Sequence, residues 1–427
     1  MKYSVNIDEI DGFDVVVVGG GASGVAAAIS AAEQGARTLI IERAGAVGGN
    51  LTVGHVGPLM GEYGKNTMSD RINRAFTDNV RRVQNFEEAK MILTRMLDES
   101  GVAVYLNSSL ADVVTEGDRI THAVITTQNG LRAVSGRVFI DGTGDGLLAY
   151  LAGEEYEMGR EDGLVQPASI MFTIKGVDPA QTLICRHERM DTQIKKGSYL
   201  ELCRRACAAG ELPPAVNIVR LYPCGTPDER MVNATQVNGL DPLSLTDYTA
   251  AQVELRRQMM QVVDFLKRNV EGFENVSVKD SSDVVGFRES RRIRGLYTIT
   301  AEDVIEGRLH EDVIVHGAAF PIDIHNPAGA GQAESDTTPH ASGKYDIPYR
   351  ATVPTKNKNL LLSGRCISGT HRAHASYRVM NTVINIGEAV GIAAAICAAE
   401  SVAVQALDAK RVQSVLSERG VDLFCEV

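Results

Sequence analysis

The apolar pattern of the chain changes period several times, and each change marks an element. Val15–Val18 is an unbroken β-branched run, the pattern of a parallel strand covered on both faces. From Ala22 to about Gln34 nearly every residue is Ala, Val, Ile or Ser, which predicts a helix slim enough for close packing. Gly35 is placed to end it in a left-handed cap. "TLIIE", Thr38–Glu42, predicts a second strand. Residues 101–153 predict three short strands with turns at "EGD" and "QNG", closing on a strand over Arg137–Ile140.

Farther along, "ASIMFTIKGVD" predicts a strand, and "NIVRLYP" with "ERMVNATQV" a strand pair. Leu255, Met259, Val262, Leu266 and Val270 recur at helical spacing, so a helix is expected from about Asp247 to Asn269. Asn326–Asp346 is a long Gly/Pro/Ser/Asp segment, a length that favours a lid or a disordered loop. Asn359–Ser363 predicts a last parallel strand. Val383 to about Glu400 predicts a long helix capped by Asn381 and Thr382, with Gly387 and Gly391 spaced for tight packing under the sheet. Its apolar run Ala389–Ala399 lies between Glu388 and Glu400 and is too short to span a bilayer. No internal repeat is present.

Between the first strand and helix, Gly19, Gly21 and Gly24 fall in G-x-G-x-x-G spacing. The first glycine permits a tight turn, the second lets amides approach a pyrophosphate, and the third brings helix to strand. The helix start at Ala22 and Ser23 offers free amides and a positive dipole end to a diphosphate. Glu42 closes the second strand, where its carboxylate suits an adenosine ribose. An NAD domain would next enter a crossover helix. Here the chain instead reads "RAGAVGGNLTVGHVGPLMG", a polar, glycine-rich run suited to lie along an extended cofactor. Arg43, Gly48, Gly49, Asn50, Leu51 and Thr52 are therefore assigned to the cofactor surface, with Leu110. The second glycine turn, Asp141–Gly146, adds Thr143, Gly144 and Asp145, and the C-terminal strand adds Gly364 and Arg365.

Antiparallel strands appended to a parallel sheet, followed by a second glycine turn, describe an α/β fold. It is a Rossmann-like, glutathione-reductase-like FAD-binding domain with an inserted α+β substrate domain. Expected boundaries are 1–152 and 356–427 for the two parts of the FAD domain and 153–355 for the insertion. The blocks Asp14–Gly61, "IDGTGDG", "GFRESRRIRGLYTITAEDV", "FPIDIHNP", "YDIPYRATVP" and "NLLLSGRCISGTHRAHASYRVMNTVINIGEAVGIAAA" resemble, in order, the bacterial FAD-dependent oxidoreductase family related to succinate dehydrogenase and fumarate reductase flavoproteins. The resemblance implies FAD, and it implies that the helix start at Asn381 and Thr382 faces the pyrimidine end of the isoalloxazine. There its dipole would stabilise negative charge on the reduced ring.

Composition narrows the partners. The chain has 427 residues and a net charge of -11, so two domains are expected and a nucleic-acid binder is not. The seven cysteines include one close pair, Cys203 and Cys207, at a spacing that matches no common metal motif. No metal site, signal peptide or membrane insertion is expected, and the location is read as cytoplasmic. A homo-oligomer stays open. There is no second strand-linked G-x-G-x-x-G and no C-x-x-C, so electrons are expected to leave through a diffusible acceptor, a second substrate or a partner protein.

The flavin carries the redox step, which leaves the protein to bind substrate and move a proton. His371 and His374 lie in "GTHRAHASYR" between the last strand and the long helix, and His371 is the leading proton carrier. Arg288, Arg291, Arg292 and Arg294 crowd "GFRESRRIRG", and Arg378 precedes the helix. Arg288 and Arg291 suit a substrate carboxylate; an ion-paired structural cluster with Asp280, Asp283 and Glu289 is the alternative. His316 and His325 flank "GAAFPID", and His316 is the further catalytic candidate. Covalent flavin attachment at His55 is not expected, and Tyr377 is a phenol without local support. The expected activity is hydride transfer to or from flavin N5 on a small polar metabolite, with or without a carboxylate, either oxidising a CH–OH or CH–NH centre or reducing an activated C=C. The alternatives are a flavoprotein subunit feeding an iron-sulfur partner and a flavin-binding module without turnover.

Overall fold

The computed structural model describes residues 4–62, 64–77, 82–187, 189–331 and 344–423. Its main sheet is built from β1 (Asp8–Val18), β2 (Thr38–Ile41), β3 (Ala103–Tyr105), β4 (Ser109–Glu116), β5 (Arg119–Thr127) and β6 (Gly130–Asp141). Their order is β3-β2-β1-β6-β5-β4, and the C-terminal strand Leu360–Leu362 also pairs with β6. β1, β2, β3, β6 and Leu360–Leu362 run parallel, whereas β4 and β5 are antiparallel additions. Val15, Val16 and Val17 are fully buried, as the β-branched run requires. β6 is one continuous strand rather than a short Arg137–Ile140 segment. It forks the sheet, pairing with β5 through residues 130–135 and with Leu360–Leu362 through residues 139–141.

Helix α1 (Ala22–Glu33) follows β1 directly, and Gly35 after it has φ +84°. Its small face meets the helix Met380–Glu400, and glycines make that approach close. A Cβ on Gly387 would lie 2.1 Å from the carbonyl oxygen of Ser23, and one on Gly391 would lie 2.2 Å from that of Ala27. The tight packing expected of these glycines is therefore made on α1. The helix starts at Met380 with Val379 at the cap position and no side-chain cap, earlier than the sequence suggests. Asn381 sits in the first turn and holds the distant segment 59–61 instead, donating to the carbonyl of Gly61 at 2.8 Å. Among the described residues this helix alone is long and apolar enough to cross a membrane, and it is buried inside the protein.

The expected strands and helix of the insertion form a second core. Arg220–Pro223, Glu229–Asn233, Phe172–Lys175 and Ser277–Ser281 make an antiparallel sheet in that order. The helix Leu245–Asn269 buries Leu255, Met259, Val262 and Leu266 in the same core. This core draws on residues between Ala168 and Phe287, while Ile293, Ile299 and the hairpin of Val313–Ala318 with Tyr345–Pro348 join the first core. The lid expected over Asn326–Asp346 falls mainly on residues 332–343, outside the described residues.

The backbone contact of Gly391 makes a direct prediction. Gly391→Ala should destabilise the protein by about 1–3 kcal/mol, the usual cost of overpacking, read as a lower urea midpoint. A variant with an unchanged midpoint would show that the two helices can separate without penalty.

Candidate active site

Three glycine turns converge at the C-terminal edge of the parallel sheet. Gly19 has φ +101°, and a Cβ on it would lie 2.5 Å from the Gly142 carbonyl, so the turn after β1 rests on the turn after β6. A Cβ on Gly24 would lie 1.9 Å from the Gly19 carbonyl oxygen, which accounts for the third glycine. Gly21 differs: the nearest atom to a Cβ there is the Gly142 oxygen, 3.9 Å away, so space remains in front of the α1 N-terminus. Gly48 closes the third turn by donating to the Gly20 carbonyl at 2.7 Å, and a Cβ on Gly49 would lie 2.9 Å from the Gly21 Cα. Leu51 and Thr52 are buried behind it, whereas Asn50 and Arg43 face solvent.

Glu42 is buried at the tip of β2, its carboxylate accepting from the Gly20 amide at 2.6 Å and the Ala44 amide at 2.7 Å. It therefore sets the turn as well as standing where a ribose is expected. Ser108 donates to the Glu42 carbonyl at 3.0 Å, which brings the start of β4 and half-buried Leu110 to the same edge.

Asp141 is fully buried and organises the second turn, accepting from the Thr143 amide and hydroxyl and from the Ala149 amide. Burial raises its pKa despite these donors. Asp145 accepts from Ser290 at 2.7 Å and from Arg365, and Arg365 also donates to Ser290 at 2.9 Å. Burial opposes ionisation of Asp145, but Arg365 and the Ser290 bond outweigh it and lower its pKa. This triangle ties the second glycine turn, the segment before Arg292 and the C-terminal strand together. Ser23 and Ser363 share a hydrogen bond, and a Cβ on Gly364 would lie 3.2 Å from that of Ser23. Thr382, at the start of the second long helix, is buried with its hydroxyl lacking a partner.

The catalytic candidates separate into two groups. Glu289 is fully buried and 2.9 Å from Nδ1 of His371, and it is also paired with Arg292. Arg292 in turn donates to the carbonyls of Gly369 at 2.9 Å and Gly159 at 3.0 Å. His374 is buried with no partner on either ring nitrogen. Burial first, then the positive charge of Arg292, Arg378 and Arg365, drives its pKa well below the ordinary value. Arg291 stacks on Tyr150 with its guanidinium carbon 4.2 Å from the ring centre and donates to the Asp145 carbonyl. Arg288 donates to the Pro167 carbonyl at 2.6 Å and lines a narrow recess with Arg220 and His325 of the inserted region.

The remaining candidates lie elsewhere. His316 pairs with Asp346 at 2.8 Å across the hairpin. Arg294 makes exposed ion pairs with Glu155 and Glu157. His55, at φ +53°, stacks on Phe86 and stands 3.3 Å from Asp280. The Tyr377 hydroxyl donates to the Ile367 carbonyl. Arg220, Gln166 and Asp323, which sit beside Arg288, Arg378 and His325, were not singled out by the sequence. The usable signal was an arginine in the apolar run "NIVRLYP", opposite Asn233 in the strand pair.

A parallel sheet with a diphosphate turn, a second glycine turn against it and a second helix start nearby defines a dinucleotide-binding flavoprotein. The open space at Gly21 and the unpartnered Thr382 hydroxyl fit a bound FAD at the two helix starts. Residues 14–416 match the family model for the FAD dependent oxidoreductases, and the chain belongs to that family, an enzyme with FAD as cofactor. A stretch of 73 residues is 42% identical to the soluble pyridine nucleotide transhydrogenase of Chromohalobacter salexigens, covering 16% of this chain and 15% of that protein. Solved structures similar at low identity include a geranylgeranyl bacteriochlorophyll reductase-like protein from Thermoplasma acidophilum, at 15% identity and TM-score 0.47 over 97% of this chain and 84% of that one. The flavin-dependent brominase Bmp2 is 14% identical, with TM-score 0.48, over 95% of this chain and 83% of its own.

Two predictions arise from this geometry. Glu42→Ala should weaken FAD binding about 5- to 150-fold, equivalent to about 1–3 kcal/mol for a lost charge-assisted contact, measured by titrating apoprotein against flavin fluorescence; unchanged affinity would contradict the ribose role. Separately, the folded-state pKa values of His374 and His325 are depressed by burial and then by neighbouring guanidinium charge. The unfolded chain therefore binds more protons as pH falls through the ordinary histidine range. Stability should drop below about pH 6.5 by about 1.4 kcal/mol per pH unit for each histidine. Urea unfolding between pH 8 and 5.5 should show that slope, and His374→Gln should flatten it.

Proposed function

We propose that this oxidoreductase moves a hydride between FAD and a small polar metabolite, with His371 moving the accompanying proton. The observation that carries this reading is the buried Glu289 carboxylate, 2.9 Å from Nδ1 of His371, fixed from its other side by Arg292. Bound FAD would supply two-electron chemistry at its ring. The residues that would hold it are the Gly19–Gly24 turn, Glu42, Gly48–Thr52, the Thr143–Asp145 turn, Gly364, Arg365, Asn381 and Thr382.

Glu289 favours the tautomer of His371 with the proton on Nδ1, which leaves the lone pair on Nε2. That nitrogen accepts a proton from a hydroxyl or amine being oxidised; the protonated ring returns one when the reaction runs toward reduction. His374 cannot share the task, because burial and the surrounding cations keep it neutral. Its ring instead packs edge-on against Tyr377. The Asp145–Ser290–Arg365 triangle holds the segment carrying Glu289 against the second glycine turn, so the proton carrier and the cofactor edge keep a fixed relation.

An anaerobic metabolite screen read by flavin bleaching should find the substrate. With it, His371→Gln should lower the rate of flavin reduction about 10²- to 10⁴-fold at unchanged FAD content. A variant that reduces flavin at the wild-type rate would remove His371 from the mechanism.

A further inference from the structure

The helix Leu245–Asn269 buries one side in the second core through Leu255, Val262 and Leu266 and leaves an apolar stripe on the other. Leu245 is 82% exposed, Val253 68% and Met260 52%. Thr246, Val253 and Met260 recur every seven residues, and Thr249, Ala250 and Arg257 between them are exposed as well. At 3.6 residues per turn these positions share one face. A shallow groove along it is lined by Leu245, Thr246, Thr249, Ala250, Val253 and Glu254. All six belong to the helix, so among the described residues no other segment walls this groove. Large apolar side chains lined up on an open face mark a contact surface rather than scattered exposure.

Charge along the helix is split by end. Asp241 and Asp247 stand at its start, and Lys267 and Arg268 stand in its last turn. Asp241 accepts from the Leu243 amide and Asp247 from the Asp241 amide, while Arg268 donates to the Asp264 carbonyl one turn back. Among the described residues neither Lys267 nor Arg268 has a carboxylate partner. Midway along, Glu254 pairs with Arg257 on the open surface, and Arg256 is turned inward to the Ser282 carbonyl. A second copy of the helix laid antiparallel sets the acidic start of each copy beside the basic end of the other. A parallel copy would set like charge on like. Opposed helix dipoles favour the antiparallel pairing as well.

We infer that this face pairs two copies of the chain, antiparallel, about a two-fold axis that crosses the helix beside Leu255. Such an interface is self-complementary, so every contact occurs twice. Ala250 of one copy meets Met260 of the other, and Val253 lies under the aliphatic stem of Arg257. The Arg257 guanidinium then stands within reach of Glu254 in both copies. Asp247 faces Arg268 of the second copy, and Thr246 faces Asp264. The helix has 25 residues and so spans about 38 Å. One helix pair of that length falls at the small end of specific interfaces, and the dimer is therefore reversible and concentration-dependent. The pairing stands apart from the oxidoreductase reading, because no residue assigned to the candidate active site lies on this helix.

Sedimentation velocity on the FAD-loaded full chain tests the pairing. The dimer fraction should rise with protein concentration across the micromolar range. Val253→Glu changes an exposed position, so folding and FAD content should be unchanged, while a charge pressed into the contact should weaken the dimer about tenfold or more. Register is read with Ala250→Cys and Met260→Cys combined in one chain. These positions stand about 15 Å apart along one helix, too far to bridge within it. Oxidation should therefore give a reducible covalent dimer that neither single variant gives. A chain that stays monomeric throughout, or a dimer that Val253→Glu leaves intact, would overturn the inference. A dimer that the cysteine pair does not cross-link would overturn the antiparallel register. A monomer that instead sediments with phosphatidylglycerol vesicles would assign the stripe to a lipid surface and overturn the pairing.

Discussion

Two helices from opposite ends of the chain cross with backbone against backbone, and the arrangement of the site depends on that crossing. Gly387 and Gly391 leave no room for a side chain against the Ser23 and Ala27 carbonyls. The helix Met380–Glu400 is therefore held at one depth and register along α1. Its first turn, with Asn381 and Thr382, then lies at the same edge of the sheet as the start of α1. The C-terminal strand is drawn in with it: Leu360–Leu362 completes the parallel sheet on β6, and Ser363 bonds Ser23. Two helix N-termini and three glycine turns consequently share one edge, which is the geometry an extended dinucleotide requires.

Electrostatics divides the neighbourhood into parts with different tasks. Arg365 is neutralised by Asp145 and ties the FAD turn to the segment that follows it. Arg292 is committed to Glu289 and two carbonyls, so it supports His371 rather than a ligand. Arg291 spends its charge on Tyr150 and a backbone carbonyl. Arg220, Arg288 and Arg378 act together on the buried His325 ring and, after burial itself, lower its pKa. His371 and His374, three residues apart on one short helix, differ for the same reason: a carboxylate stands beside the first, and cations crowd the second.

The residues legible from sequence were those whose role is local. Gly19, Gly24 and Glu42 act within one strand–turn–helix–strand unit, and their spacing encodes the turn. The insertion's strand pair and its long helix were legible because burial on one face leaves a period. The fork in β6 was not, since one apolar strand reads alike whichever partner it pairs with. Arg288 and Arg291 looked equivalent in "GFRESRRIRG", yet one reaches the inserted sheet and the other stacks on Tyr150. His316 and His325 were likewise equivalent flanks of "GAAFPID", and Asp346 claims the first while the arginine cluster surrounds the second.

By itself the sequence determined the cofactor class, because a diphosphate turn and its terminal acid are built from backbone conformation over a short span. It also determined the small-residue faces on which the two long helices meet. Which charged side chains pair with one another was decided only by the tertiary structure. That pairing depends on contacts between residues more than a hundred positions apart, such as Gln166 with Arg378 and Arg365 with Asp145. Coulomb and desolvation energies follow distance in space, and spacing along the chain carries no record of them.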